Sequence, residues 1–162
     1  MNNKEFIHYT TAEGDEKILS PYINLIVLPF FKKENKMFSL LVERDHDGNI
    51  NVLSCKKDNQ SFATDIVSSF IYETFLQSNI NIEYLGNLTS SEKKYNNTYY
   101  KVYAFDASNL PTLEYDNSKI IELSLYDIAV QGNNTLLLAC LIKLLKEQWY
   151  DTNRDNNATE QW

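Results

Sequence analysis

The residues best suited to binding chemistry lie between positions 53 and 76 and in one later aromatic segment. Lys56 and Lys57 stand side by side in a short polar stretch, where their ammonium groups could meet a phosphate. Glu73 follows in an amphipathic segment, and its carboxylate could hold a divalent cation. Tyr99 could stack on a nucleobase. The plainer interpretations are a soluble lysine loop, a solvated helix carboxylate and a strand tyrosine that faces a helix or water.

Two further groups have side chains that could bind metal or attack a substrate. Asp45, His46 and Asp47 form an acid–His–acid triplet, but adjacent residues of a tight turn seldom converge on one ion, which favours a solvated turn. Cys55 could act as a nucleophile beside His8 or His46, although the sequence gives no means of bringing them together.

Later segments add weaker candidates. Glu92 and Glu114 lie in predicted loops that could approach the end of the helix, and the plainer interpretation of each is a surface charge. The aromatic run consists of Tyr95, Tyr99, Tyr100 and Tyr103.

Strand patterns surround the lysine pair and must position it. The run at 22–31 is β-branched and nearly continuous, as in a strand covered on both faces, and 37–44 follows after the charged turn at 32–36. Together they predict a hairpin near the centre of a sheet. Further strands are predicted at 50–54, 80–88, 98–106 and 120–128, with a polar connecting loop at 90–97 and a short turn of helix after the last strand.

Two helices are predicted. One begins near Ser61, which could cap it, because apolar residues then recur at helical spacing from Ile66 to Ile71. The other spans 135–150, with Asn134 as its N-cap, and its first half is apolar almost all round and therefore deeply packed. We expect a polar lead-in at 1–20, one domain at 21–150 and a polar, frayed tail at 151–162.

Composition narrows the classes of partner and compartment. The chain has 162 residues, 43% of them hydrophobic, which suits one globular domain, and its net charge of −7 opposes binding to nucleic acid or to an anionic membrane. Two widely separated cysteines and an N-terminus without the apolar core of a signal peptide predict a protein of the reducing cytoplasm.

The order of these elements, together with local sequence, resembles the Nudix (MutT-like) superfamily. Three segments carry this resemblance. The opening strand pair of the family is similar to INLIVLPFFKKENKMFSLLVERD, and its later strand pair is similar to IEYLGNLTSSEKKYNNTYYKVYAFDAS. The segment before its final helix is similar to IIELSLYDI. The resemblance covers roughly residues 20–150. It implies an α/β fold: an α/β/α sandwich with a mixed central sheet, one helix after the Nudix loop and a C-terminal helix.

The family's motif is G-x5-E-x7-R-E-U-x-E-E-x-G-U, with U a large aliphatic residue, and its glutamates hold divalent cations that neutralise a pyrophosphate. In the best register Ile66 and Val67 take the small-residue positions and Ile71 takes U. The other positions depart from the motif, so it is a degenerate one: Ser69 replaces Arg, Phe70 and Thr74 replace two glutamates, Glu73 alone keeps a carboxylate, and Cys55, Lys56 and Leu76 stand near the glycine positions.

The resemblance therefore implies a Nudix fold whose pyrophosphohydrolase activity is lost. Such a chain would act as a ligand-binding or protein-interaction module, with Glu73 as residual catalytic or metal residue and Lys56, Lys57 and Tyr99 as ligand contacts. A nucleotide-like molecule or a protein is then the expected partner, a homodimer is compatible with the family, and no cofactor is expected. The alternative is a divergent active hydrolase that cleaves a nucleoside diphosphate-linked compound with Mg²⁺. A third hypothesis is a small homodimeric structural protein without a ligand.

Overall fold

One mixed sheet organises the part of the chain that the structure describes. The computed structural model describes residues 7–10, 12, 14, 16–19, 23–58, 60–93, 96–110, 113–131 and 134–160. The strands of the sheet are β1 (Ile7–Thr10), β2 (Glu16–Leu19), β3 (Ile23–Lys33), β4 (Lys36–Arg44), β5 (Ile50–Asn51), β6 (Leu53–Lys57), β7 (Glu83–Lys93), β8 (Asn96–Asp106) and β9 (Ile120–Ser124).

Pairing places β3 near the middle of this sheet. The main strand order is β1-β2-β8-β3-β4-β5, with β6 also paired to β3, β7 to β8 and β9 to β4. β3 runs parallel to β8 and antiparallel to β4 and β6, so the sheet is mixed, as predicted. The predicted hairpin of β3 and β4 is confirmed, and its turn places Glu34 and Asn35 in the left-handed region, with φ of 56° and 63°.

Side-chain alternation along β3 explains why its apolar run is continuous. Every residue from Leu25 to Phe30 is buried. Leu25 and Val27 pack into the hydrophobic cluster on one face of the sheet, whereas Ile26 and Leu28 pack into the cluster on the other. A strand that is covered on both faces needs apolar residues at consecutive positions, so neither face can carry a polar series.

Helices cover both faces and complete an α/β/α sandwich. Helix α1 (Ala63–Phe75) buries Val67, Ile71 and Phe75 on the side of Leu25 and Val27, which we call the α1 face. Helices α2 (Leu125–Val130) and α3 (Thr135–Glu160) cover the opposite face, where Leu137, Cys140 and Leu144 are buried. None of the helices in the described residues is long and apolar enough to cross a membrane.

Several element boundaries differ from those predicted. The strand expected at 50–54 is divided into β5 and β6, which pair with β4 and β3 respectively. The loop expected at 90–97 is shorter, because ladder hydrogen bonds hold polar residues of β7 and β8 as well as apolar ones. Two strands, β1 and β2, lie in the predicted lead-in. Helix α3 continues to Glu160, since its polar second half contains no proline or glycine to end it.

Asn134 is the N-cap of α3, as predicted, and it also links that helix to the sheet by a hydrogen bond. Its Oδ1 accepts the backbone N–H of Leu137 at 2.9 Å, the N3 position of the helix. Its Nδ2 donates to the carbonyl oxygen of Ile50 at 3.0 Å, so one side chain joins α3 to the β4–β5 hairpin.

We expect Asn134→Ala to lower the free energy of unfolding by about 1–2 kcal/mol, because it removes the cap and leaves the Ile50 carbonyl without this donor. Urea denaturation of the full chain measures the loss. Asn134→Asp keeps the capping oxygen and loses only the donor, so it should fall between the wild type and the alanine variant. An Asp variant as unstable as the alanine one would contradict the capping role.

Candidate functional site

The loop between β6 and α1 is held together by two of its own side chains. Asp58 Oδ1 accepts the backbone N–H groups of Gln60 at 2.9 Å and Ser61 at 3.0 Å, and the Ser61 hydroxyl at 3.0 Å. Lys57 Nζ donates to the carbonyl oxygens of Asp58 at 2.8 Å and Ser61 at 3.1 Å. These hydrogen bonds fix the described residues of the loop relative to one another.

The prediction that Ser61 caps α1 is wrong. The N-cap residue is Phe62, with extended backbone and no side-chain cap. Since Asp58 already accepts both donors of Ser61, the Ser61 side chain belongs to the loop, and the helix begins one residue later.

Helix α1 ends at a residue with left-handed backbone. Leu76 terminates the helix with φ 58° and ψ 33°, and its N–H donates to the Tyr72 carbonyl at 2.8 Å. This is the left-handed conformation that glycine adopts most readily at a helix end. The register predicted from the sequence puts the closing glycine of the motif at this position.

The residues aligned with the motif by sequence lie in different environments. Phe70 is half-buried and packs against the α1-face cluster, and Thr74 is half-buried as well. Ser69 and Glu73 are exposed. Within the described residues no three His, Cys, Asp or Glu side chains are grouped so that they could hold a metal ion. Glu114 is exposed, and the side chain of Glu92 lies outside the described part.

A cavity of about 450 Å³ adjoins Glu73 at the C-terminal end of α1. Its lining contains one carboxylate, that of Glu73, together with hydroxyl and amide side chains. Neither Phe62 nor Phe70 lines it, and Phe75 is fully buried in the core. The space beside Glu73 is thus open, and it lacks the clustered carboxylates that a multinuclear magnesium site needs.

Lys57 and Tyr99 share the α1 face, whereas Lys56 does not. Lys57 pairs with Ile23 of β3, and on the other side of β3 Tyr100 pairs with Asn24, which puts Tyr99 beside Ile23. Lys57 and Tyr99 are therefore two strands apart, about 10 Å. Lys56 points to the opposite side of β6, because successive strand side chains alternate.

Two further residues on the same face were not among the candidates predicted from the sequence. Lys101 is half-buried and follows Tyr99 two positions along β8, and Tyr84 of β7 is 52% exposed. The Tyr84 ring lies 5.2 Å from that of Tyr103, and its hydroxyl donates to Asn87 Oδ1. Burial raises the pKa of Tyr103, with a smaller contribution from Tyr84. The alternation of side chains between the two faces of the predicted strand at 98–106 could have placed Lys101 on the same face as Tyr99.

The remaining tyrosines and the His8 side chain are not part of this patch. Tyr100 is half-buried and packs against the opposite cluster, as alternation requires. Tyr103 is 5% exposed, so only its edge could meet a ligand. Tyr95 and the side chain of His8 lie outside the described residues.

The acid–His–acid triplet forms a solvated turn. Asp45 Oδ1 accepts the backbone N–H groups of Asp47 and Asn49, both at 2.9 Å. The hydrogen bond from the Asn49 backbone is the main reason why the pKa of Asp45 lies below its usual value. His46 Nε2 lies 3.6 Å from an Asp47 carboxylate oxygen, and both side chains are largely exposed.

Cys55 does not have the environment of a nucleophile. Its thiol is half-buried on the α1 face opposite Leu25, and this burial raises its pKa to about 11. A thiol with this pKa is almost entirely protonated at neutral pH, and the protonated form does not attack. Cys140 is buried in the opposite cluster, and its pKa is raised to about 12.

Comparison with solved structures identifies the architecture. A protein from Listeria monocytogenes described as a NUDIX hydrolase superposes with a TM-score of 0.62 at 13% identity, covering 80% of this chain and 95% of its own. The NUDIX domain of Shewanella oneidensis NrtR, complexed with ADP ribose, gives 0.57 at 11% identity, covering 86% and 93%. This chain has the Nudix fold.

A third neighbour with this fold comes from a complex of two proteins. The C-terminal domain of mouse MUTYH, in a complex with human PCNA, gives a TM-score of 0.60 at 10% identity and covers 78% of this chain and 89% of its own. No protein-family model and no curated protein matches the sequence. Identities of 10–13% show the fold alone.

We expect Leu76→Gly to raise the free energy of unfolding by about 1 kcal/mol, since glycine relieves left-handed strain that costs an ordinary residue about 1–2 kcal/mol. The Leu76 side chain is 61% exposed, so little burial is lost. Leu76→Ala is the matched control, because it shortens the side chain and leaves the strain. Equal urea midpoints for the two variants would contradict this account.

Alkylation tests the protonation state of the cysteines. Because burial raises the pKa of Cys55 from 9.0 to about 11, iodoacetamide at pH 8 should modify it about a hundredfold more slowly in the native chain than in guanidinium. The same shift stabilises the fold below pH 9, and its contribution is lost as the pH rises towards 11. Cys140→Ser isolates the Cys55 signal in mass spectrometry, and native labelling as fast as unfolded labelling would contradict the prediction.

Proposed function

We propose that this Nudix-fold protein binds a nucleotide-like ligand on the α1 face of β7 and β8 and does not hydrolyse it. The proposed lack of hydrolysis rests on the replacement of two motif glutamates by Phe70 and Thr74. Both residues are half-buried on the helix that would hold the metal. Glu73 is the one carboxylate left in the motif helix after Asp65.

Hydrolysis of a phosphoanhydride by this fold would require divalent cations to neutralise the pyrophosphate. Mg²⁺ is bound through oxygen ligands, and a site for several ions needs several carboxylates. The described residues do not fit such a site, because Glu73 is the lone carboxylate of its cavity and no group of three metal-ligating side chains occurs among them.

The α1 face supplies the groups that a nucleotide-like ligand requires. Lys101 places a half-buried cation between Tyr99, which is 41% exposed, and the exposed Tyr84. A lysine can pair with a phosphate, and an aromatic face can stack on a base or a sugar. A local cation is also needed to offset the acidic net charge of −7. The ADP ribose bound by the NrtR domain supports this class of ligand.

Two other functions compete with this proposal. A divergent hydrolase would use the exposed Glu73 with carboxylates from later loops, such as Glu114. A protein-interaction module is favoured by the MUTYH domain, which has this fold and was solved in a complex with PCNA. A homodimer remains a prediction, which sedimentation would test.

Calorimetric titration of the full chain with ADP-ribose, with and without Mg²⁺, tests binding. We expect Lys101→Ala and Tyr99→Ala each to weaken the affinity about tenfold, the size expected for losing one charged hydrogen bond or one stacking contact. Lys56→Ala is the matched control, since this exposed lysine lies on the other side of β6. If neither ADP-ribose nor ADP bound at millimolar concentration, the proposed binding of a nucleotide-like ligand would be refuted.

Chromatography of the same mixtures tests hydrolysis. We expect no AMP or ribose 5-phosphate to be released from ADP-ribose with Mg²⁺ or Mn²⁺. Release of these products that Glu73→Gln abolishes would establish the competing hydrolase.

A further inference from the structure

The cavity at the C-terminal end of α1 shares no lining residue with the proposed ligand face. Helix residues Ser68, Tyr72 and Glu73 line one side of it. Ser78, Ile80 and Ile82, in the chain after the helix, line the other side. Successive helix residues are about 100° apart, which places Ser68 and Tyr72 on a different side of α1 from Phe70 and Thr74. The lining thus includes the motif positions Ser69, Ile71 and Glu73 but not Phe70 or Thr74.

The backbone after α1 gives the cavity its shape. Leu76 turns the chain out of the helix in the left-handed conformation, and Asn79 adopts a second left-handed conformation with φ 58°. These two turns fold the following segment back along the helix, so that Ile80 and Ile82 face the same space as Tyr72 and Glu73.

The charge of the lining favours a cation. Glu73 is the only charged side chain among the lining residues, and no lysine or arginine neutralises it there. Tyr72 is 57% exposed on the same wall, and an aromatic face attracts cations. The net charge of −7 adds a long-range attraction of the same sign.

Hydrogen-bond capacity and apolar surface narrow the kind of cation. Ser68 and Ser78 contribute hydroxyl oxygens, and Asn79 contributes an amide oxygen. A primary ammonium has three N–H donors for such acceptors, whereas a quaternary ammonium has none. Ile80 and Ile82 offer apolar surface that a short aliphatic chain can cover.

We propose that this cavity binds a primary ammonium group carried on a short aliphatic chain, with Glu73 as its counter-ion. Glu73 would then act in recognising an amine rather than in holding a metal. Because none of Tyr84, Tyr99 and Lys101 lines the cavity, amine binding can fail while nucleotide binding holds, and the reverse.

An NMR titration of the ¹⁵N-labelled full chain with n-butylamine at pH 7 tests this site. We expect saturable shifts confined to residues 68–82, with a dissociation constant in the millimolar range, as befits a ligand of so few heavy atoms. n-Butanol and tetramethylammonium at equal concentration should not produce these shifts, because one lacks the charge and the other lacks the N–H donors.

Two variants decide the role of the carboxylate. Glu73→Gln should weaken butylamine binding about tenfold, the loss expected for a charge-assisted hydrogen bond, and 0.5 M NaCl should weaken it in the wild type. Asp65→Asn removes an exposed carboxylate from the same helix outside the cavity and should leave the affinity unchanged. Equal affinity of Glu73→Gln and wild type, or equal shifts with butanol, would overturn the proposal.

Discussion

The burial of β3 on both faces is the constraint on which the rest of the structure depends. Leu25 and Val27 require a helix on one side, and Ile26 and Leu28 require helices on the other. A strand in this position must also have neighbours at both edges, because an unpaired backbone group buried beside it would cost several kilocalories per mole. The pairing of β3 with β4, β6 and β8 follows from this demand, and the faces so created place Lys57 and Tyr99 on one surface.

Patterns with a strong physical cause were predictable from the sequence. The continuous run of β3, the hairpin to β4 and the cap at Asn134 each depend on local residue chemistry, and the structure contains all three. The start of α1 was not predictable, because Asp58 competes for the donors of Ser61 through a loop geometry that propensities do not encode. The strands β1 and β2 were missed because each is only four residues long, and ladder hydrogen bonds do not depend on side-chain polarity.

The candidate site was predictable only in part for a different reason. Candidate residues were selected by type, whereas a site is defined by which side chains share a face. Lys56 and Lys57 look equivalent in the sequence, yet alternation along β6 separates them. Lys101 was overlooked although the same alternation places it with Tyr99. Glu73 was singled out for its carboxylate alone, and the cavity beside it depends on the segment after Leu76, whose fold the sequence does not reveal.

Lys57, at the end of β6, affects how a ligand could bind to the neighbouring surface. Lys57 spans the loop and holds two of its carbonyl oxygens, and Asp58 holds the loop's donors. In a loop shaped by an ion or a ligand, part of the association free energy goes into ordering the chain. Here Lys57 and Asp58 hold the described residues of the loop by hydrogen bonds, and a ligand that required another arrangement would have to break them first. A weakly contacting surface can therefore still discriminate among ligands by shape.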